Sequence, residues 1–342
     1  MSRALTPQRV PAIAARIADD VLFPAALDVD RADRLPVAHL DLLAAEGLYG
    51  VAAPPEAGGL GVQRMDVAAD LVQTLASGCL ATTFVLIQHH GCVIAATFSQ
   101  QPGVRERWLQ PLAHGTVRGG IALAGVRGGP NQVRVRRTER GFVLDGDIPW
   151  VTGWDMIDVV HVGAVDEDAN VHFLLVDAAE SPTLRVTPLD LAAVRASRTV
   201  TMHLAGHEVP ADRLTGTRPY GEWERAEAGG SALNGFLALG VVERCARLLG
   251  GPDWLQRELT ACRCDLLAAV SAEEPTATAP ARAAASELAL RAAAALSVHT
   301  GSRSVLRSEH AERLLREAAF LLVFGSRPAI REALLERLVR QR

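Results

Sequence analysis

The chain has 342 residues, 49% of them hydrophobic, with a formal net charge of −4 and a pI near 6.2. That length can bury a large core and form two or three domains, and the slight acidity offers no electrostatic footing for nucleic acid or an anionic membrane. Neither the five cysteines (Cys79, Cys92, Cys245, Cys262, Cys264) nor the ten histidines show metal-ligand spacing, so no metal site is expected. Cys262 and Cys264, two apart on a predicted helix, should point to different faces. The N-terminal run Met-Ser-Arg-Ala-Leu-Thr-Pro lacks an apolar signal core. No window reads as 18 uncharged apolar residues, so the expectation is a cytoplasmic protein that spans no membrane.

Residues 5–22 and 36–48 carry apolar residues at three- and four-residue spacing, as in Val37, Leu40, Ala44 and Leu48, which predicts helices. The loop Pro54-Pro55-Glu56-Ala57-Gly58-Gly59-Leu60-Gly61 interrupts them with prolines and supplies glycines for positive φ. Helices over 64–78, 82–98 and 105–113 follow, closed by His114-Gly115. His89-His90 within the second of these reads as a helix-packing pair, since adjacent residues diverge by ~100° around the axis.

From Val117 the period changes to two. Val133 and Val135 alternate with Arg134 and Arg136, and Glu139-Arg140-Gly141 makes a turn into a partner strand. Strands are predicted over 158–164, 171–177, 184–187 and 199–204, giving six to eight short antiparallel strands that Val209-Pro210 ends. Helix returns near Tyr220 and runs to the C-terminus, broken by a polar linker over 273–280 and by Gly325-Ser326. The reading is an α+β chain: a helical domain over 1–115, an antiparallel β-barrel or sandwich over 116–215, and a helical bundle over 216–342.

Within the β-rich block, Pro149-Trp150-Val151-Thr152-Gly153-Trp154 admits two readings. Two tryptophans four apart around a Thr and a Gly offer a flat wall with a nearby hydroxyl, suited to a planar cofactor. Alternatively, they are core residues closing the barrel.

The layout resembles the acyl-CoA dehydrogenase family over nearly the whole chain. Pro55-Glu56-Ala57-Gly58-Gly59-Leu60-Gly61 is similar to that family's Pro-Glu-x-Gly-Gly-Leu-Gly loop, and Trp108–Gly115 to the segment before its β-domain. Trp150-Val151-Thr152 resembles its Trp-Ile-Thr strand, Val209–Leu214 its β-domain exit, and Arg313–Ala318 its late Arg-containing helix. The resemblance implies FAD held between β-domain and bundle, with a second subunit contributing. It also implies an acyl-CoA or other acyl thioester substrate, α,β-dehydrogenation by a carboxylate base, and an electron-transfer partner. By the same resemblance Ala124, Gly125, Trp150, Thr152, Gly325 and Ser326 are the cofactor-binding candidates.

Several site positions depart from the family pattern. Its Glu-Gly-Thr is here Phe324-Gly325-Ser326, and phenylalanine cannot take a proton. Glu224, followed by Arg225 in the first helix after the strands, is the candidate base by analogy with members that place it there. An exposed acidic first helical turn favoured by the dipole is the competing reading of the same residue. The Thr-Glu-Pro-x-x-Gly-Ser-Asp motif survives only as Ala124-Gly125-Val126-Arg127-Gly128-Gly129-Pro130-Asn131, without its two hydroxyls. The Arg-x-x-Phe-Gly motif gives way to Arg247-Leu248-Leu249-Gly250-Gly251-Pro252. Three readings follow: a dehydrogenase, a flavin monooxygenase of the same fold that needs no base, and a non-catalytic subunit completing a paralogue's site. The Ala-rich helix after residue 280 offers a close-packing face, so a homodimer, a homotetramer or a heteromer is expected.

Overall fold

The computed structural model describes residues 5–128, 132–228, 231–271 and 277–340. Six helices come first: α1 (Val10–Ile17), α2 (Phe23–Arg31), α3 (Val37–Ala45), α4 (Met65–Gly78), α5 (Leu80–Phe98) and α6 (Pro102–Ala113). Pro11 stands in the first turn of α1, where its missing N–H would have had no partner. Pro24, at the start of α2, has no N–H to continue the ladder, and the chain passes from α1 to α2 through a wider turn, Ala18–Leu22.

α5 corrects one expectation. It is 19 residues long and apolar enough by composition to cross a membrane, yet most of it is buried inside the protein. His89 shows why it stays there. Its Nε2 faces the Leu112 carbonyl at 3.0 Å and its Nδ1 accepts from the Gly119 N–H at 2.9 Å, tying α5 to the end of α6 and the first strand.

Eight strands follow: β1 (Gly119–Ala122), β2 (Arg134–Thr138), β3 (Gly141–Val151), β4 (Val159–Val165), β5 (Asn170–Asp177), β6 (Leu184–Pro188), β7 (Val200–Pro210) and β8 (Leu214–Pro219). They order as β6-β7-β3-β2-β4-β5-β8. Two antiparallel blocks meet at a single parallel pair, Arg134 with Val165, and β1 lies parallel to β4. The pairing is therefore not wholly antiparallel, and Pro210 does not end it, because β8 adds an edge strand beside β5. Val135, Leu144, Ile148, Val162, Leu174 and Met202 from both blocks share one core. β4 is buried along its whole length, one face on that core and Val159 against Trp108 and Leu112 of α6.

The chain then returns to helix: α7 (Tyr220–Ala228), α8 (Gly235–Leu248), α9 (Asp253–Ser271), α10 (Thr278–Thr300), α11 (His310–Val323) and α12 (Pro328–Arg340). Thr278, Ala279 and Pro280, read as linker from the sequence, form the first turn of α10, and residues 273–276 of that linker fall outside the described residues. Cys262 is buried and Cys264 exposed, as their spacing on α9 requires.

α8 packs on α4 at closest approach through Gly240. A Cβ there would stand 2.5 Å from the Gln73 carbonyl oxygen and 2.6 Å from the Ala76 methyl. Gly240→Leu must push the two helices apart, and we expect a loss of about 1–3 kcal/mol, measured as a lower urea midpoint. Gly221→Ala on α7, where nothing lies within 4 Å of the new Cβ, is the control and should leave the midpoint nearly unmoved. An equal midpoint for both variants would show that α8 can shift without cost.

Candidate functional site

α5 runs between the sheet and the bundle, and the candidate residues lie around its path. β3 ends in a bulge, with the β3–β7 register shifting between Ile148 and Val151. Trp150 sits in that bulge at φ 67°, a left-handed backbone that non-glycine residues rarely adopt. The bulge turns its indole out of the sheet, 62% exposed, whereas Trp154 is buried in the sheet core. Of the two tryptophans, one is a core residue and one is a surface wall.

Thr152 points the other way. It is buried, and its hydroxyl lies 3.1 Å from that of Thr199, which is in turn 2.8 Å from Ser197. The three buried hydroxyls form one hydrogen-bonded chain with Thr152 at its end, so one of the Thr152 contacts is made within the chain. Sequence reasoning did not single out Ser197 or Thr199, because their contact joins segments separated by 47 residues.

The turn Ala124–Val126 is held by its glycine. A Cβ on Gly125 would meet the Val133 side chain at 2.5 Å, and the Gly125 carbonyl accepts from Val133 N–H at 2.8 Å. Gly129, Pro130 and Asn131 of the same motif lie outside the described residues. Past the turn, Gly128 N–H donates to the Tyr220 hydroxyl at 3.3 Å, which fastens α7 to it. Trp223 of α7 is buried against Val126, Val165 and Val171. Glu224, the next residue, faces outward and is exposed, with the Tyr220 hydroxyl 3.5 Å from its carboxylate. Among the described contacts none joins Glu224 to Trp150, Thr152 or Phe324.

On the bundle side, α11 ends at Phe324, whose ring stands 4.8 Å from Phe84 of α5 and 5.4 Å from Phe320. Its carbonyl accepts from Arg282 Nη2 at 2.9 Å, and Arg282 Nη1 donates to the Ser231 carbonyl, also at 2.9 Å. Arg282 is 2% exposed, and burial pulls its guanidinium down to about 10, with nearby Arg327 acting in the same direction. Gly325 follows at φ 57°, where a glycine is favoured. Arg327 then reaches α7, pairing with the Glu227 carboxylate at 2.5 Å. The structure therefore brings the Ala124–Gly128 turn, α7 and the Gly325-Ser326 turn to one seam. The lone charge at Arg282, inside the alanine-rich run 279–285, was the available sequence signal for that seam.

The N-terminal residues 8–116 match the family model described as the acyl-CoA dehydrogenase N-terminal domain. The chain is 24% identical over 211 residues to the bovine mitochondrial short-chain specific acyl-CoA dehydrogenase, covering 58% of this chain and 50% of that protein. It matches the structure of butyryl-CoA dehydrogenase from Megasphaera elsdenii at a TM-score of 0.85 and 18% identity, over 99% of this chain and 100% of that one. Residues 8–116 thus match the acyl-CoA dehydrogenase N-terminal domain, and the chain as a whole has the acyl-CoA dehydrogenase fold. A glutaryl-CoA dehydrogenase from Mycobacterium smegmatis, solved in complex with FADH2, aligns over 97% of this chain and 94% of its own at a TM-score of 0.79 and 16% identity. The match to the bovine relative spans half of that protein's length, so likeness of fold is broader than likeness of sequence.

Against this family background the residues present do not make a self-contained FAD site. The Thr152 hydroxyl is engaged by Thr199, Ala124 has no hydroxyl, and α8 passes to α9 through only Leu249–Pro252. Gly250 and Gly251 take positive φ in that link, which makes it a tight turn with no length to reach a diphosphate.

Proposed function

We propose that this chain is one subunit of an acyl-CoA dehydrogenase-type flavoprotein that oxidises an acyl thioester in the cytoplasm. In this reading FAD lies at the seam with a second, paralogous chain, which supplies the carboxylate base and the diphosphate contacts. The assembly passes its electrons to a separate acceptor protein. The observation that carries the reading is Phe324. The α-proton beside a thioester is very weakly acidic, so its removal needs a positioned base within direct reach. Phe324 is packed on Phe84 and Phe320, its carbonyl is held by a buried arginine, and Glu224 is exposed on α7 with no described contact to Phe324. Exposed Val298, Val305, Val323, Leu335 and Val339 on the C-terminal bundle supply apolar surface for association.

An absorbance spectrum of the chain purified alone tests this. We expect no flavin bands, no thermal shift with saturating FAD or FMN, and no reduction of an artificial electron acceptor by acyl-CoA. A yellow homo-oligomer that oxidises acyl-CoA would overturn the proposal. If Glu224→Gln then abolished that rate, Glu224 would be the base of a complete enzyme.

A further inference from the structure

A cavity of about 610 Å³ lies between the start of α3, the turn from α6 to β1 and the turn from β3 to β4. That volume suits a small molecule, and neither Glu224 nor any of the cofactor candidates lines it. One wall is apolar, with Val37 and Leu40 of α3 beside Met156 and Ile157.

The remaining walls carry charge, and most of it is already paired. Asp41 accepts from Arg118 Nη2 at 2.6 Å, and Asp155 accepts from Arg198 Nε at 3.1 Å. Two lining groups are left over. Among the described residues the Asp158 carboxylate accepts from the Arg118 backbone N–H, at 2.7 Å, and is in no ion pair. Arg34 is exposed and makes no hydrogen bond or ion pair among them. A spare carboxylate and a spare guanidinium therefore share one cavity without meeting.

The wall on the Asp158 side is rigid. Asp158 N–H donates to the Arg118 carbonyl at 2.7 Å, which fixes the carboxylate at the entry to β4. Tyr49 is 2% exposed and lies against Gly115, which lines the cavity. A Cβ on that glycine would stand 2.9 Å from Tyr49 Cγ, and Arg118 Cζ is 5.8 Å from the ring centroid. Burial pushes the Tyr49 hydroxyl up to about 12, opposed by Arg118 and assisted by Asp41 and Asp158. That neutral hydroxyl makes no hydrogen bond among the described residues, so the carboxylate side holds a second polar group to spare.

We propose that this cavity binds a zwitterion of the ω-amino-acid class, an ammonium and a carboxylate joined by an apolar stem. Asp158 takes the ammonium, and the planar Arg34 fork takes the carboxylate through two parallel hydrogen bonds. The stem lies along Val37, Leu40, Met156 and Ile157. The Asp41–Arg118 and Asp155–Arg198 pairs hold the flanks without adding net charge. This site goes beyond the thioester reading, since it needs neither a flavin nor a second chain.

The test is a ligand-observed NMR titration of the full chain with 6-aminohexanoate. Hexylamine and hexanoate, which each keep the stem and one of the two charges, are titrated beside it. Saturable binding of 6-aminohexanoate is expected with a Kd on the order of 1 mM or tighter. Each half-ligand should bind about fivefold more weakly. Asp158→Asn keeps an acceptor for the Arg118 N–H and removes the charge, so it should lower 6-aminohexanoate to the affinity of hexanoate. Arg34→Gln, at an exposed position, should lower it to that of hexylamine. No saturation, or a half-ligand that binds wild type as tightly as 6-aminohexanoate, would overturn the site. An unchanged Kd in either variant would do the same. The half-ligand comparison uses the wild type alone, so the proposal can fail even if a variant does not fold.

Discussion

Glu317→Ala is expected to destabilise the fold by about 3–5 kcal/mol, the cost of leaving a buried charge without its partner. Glu317 and Arg313 lie one turn apart on α11, 3% and 1% exposed, with Nη1 to Oε1 at 2.6 Å. Burial raises the Glu317 carboxyl, and Arg313 opposes that rise. The pairing is incomplete, because Arg313 Nε and Glu317 Oε2 have no hydrogen-bond partner among the described residues. Removing the carboxylate strands Arg313 in the core, where among the described contacts His310 Nδ1, at 3.5 Å, stands near its Nη2. The double variant Arg313→Met with Glu317→Leu should recover most of the loss, since well-packed apolar residues replace such pairs at little cost. Urea denaturation of the two variants separates these outcomes. A loss of under about 1 kcal/mol for Glu317→Ala would mean that Arg313 reaches solvent once it is freed.

The two helical halves and the strands between them were legible because hydrophobic period is a local signal. Val133 and Val135 alternate, Val37, Leu40 and Ala44 recur by helical spacing, and the structure places strand and helix accordingly. β8 was not legible, since Thr215 and Thr217 follow Pro210 and acquire their strand geometry by pairing with β5. The membrane-length apolar run of α5 shows the same limit in reverse, as only its packing partners distinguish a core helix from a span. Arg313–Ala318 was recognised as a family-like run, but its buried ion pair was not, because burial belongs to the assembled bundle. At the site, the sequence singled out Trp150, Thr152, Gly325 and Ser326 from motif likeness. It could not show that Trp150 is turned outward by a bulge, nor that Thr152 is claimed by Thr199. Arg282 and Arg327 are 45 residues apart. No local pattern connects them, and they come together only where α10, α7 and the end of α11 converge.

Acid should unfold this protein more readily than its modest net charge implies, and four histidines carry the effect. His161 is 8% exposed, and burial holds it near 4, while its Nε2 faces the Thr215 hydroxyl at 3.0 Å. His310 is held at about 4 by burial, helped by Arg313 and Arg244. Burial also lowers His90, and it holds His89 well below the usual range, where neighbouring His90 adds to the effect. An unfolded histidine takes up its proton near pH 6.5. Below that value the unfolded state binds protons that the folded state refuses, so stability falls with pH. The full stability is present above about pH 6.5 and is lost as pH falls towards about 4. For His161 the loss reaches ~2 kcal/mol by pH 5, at 1.36 kcal/mol for each unit of difference. Lowered carboxylates such as Asp19 and Asp166 act in the same direction only below their unfolded values, outside this window. Urea midpoints at pH 7 and pH 5 measure the combined effect, which should be several kcal/mol. His161→Gln keeps a donor for Thr215 and cannot titrate, so it should lower the proton uptake on unfolding at pH 5 by close to one. Equal midpoints at the two pH values would show that these histidines take up protons in the folded state, and the packing of α5 on β1 through a neutral His89 would then have to be discarded.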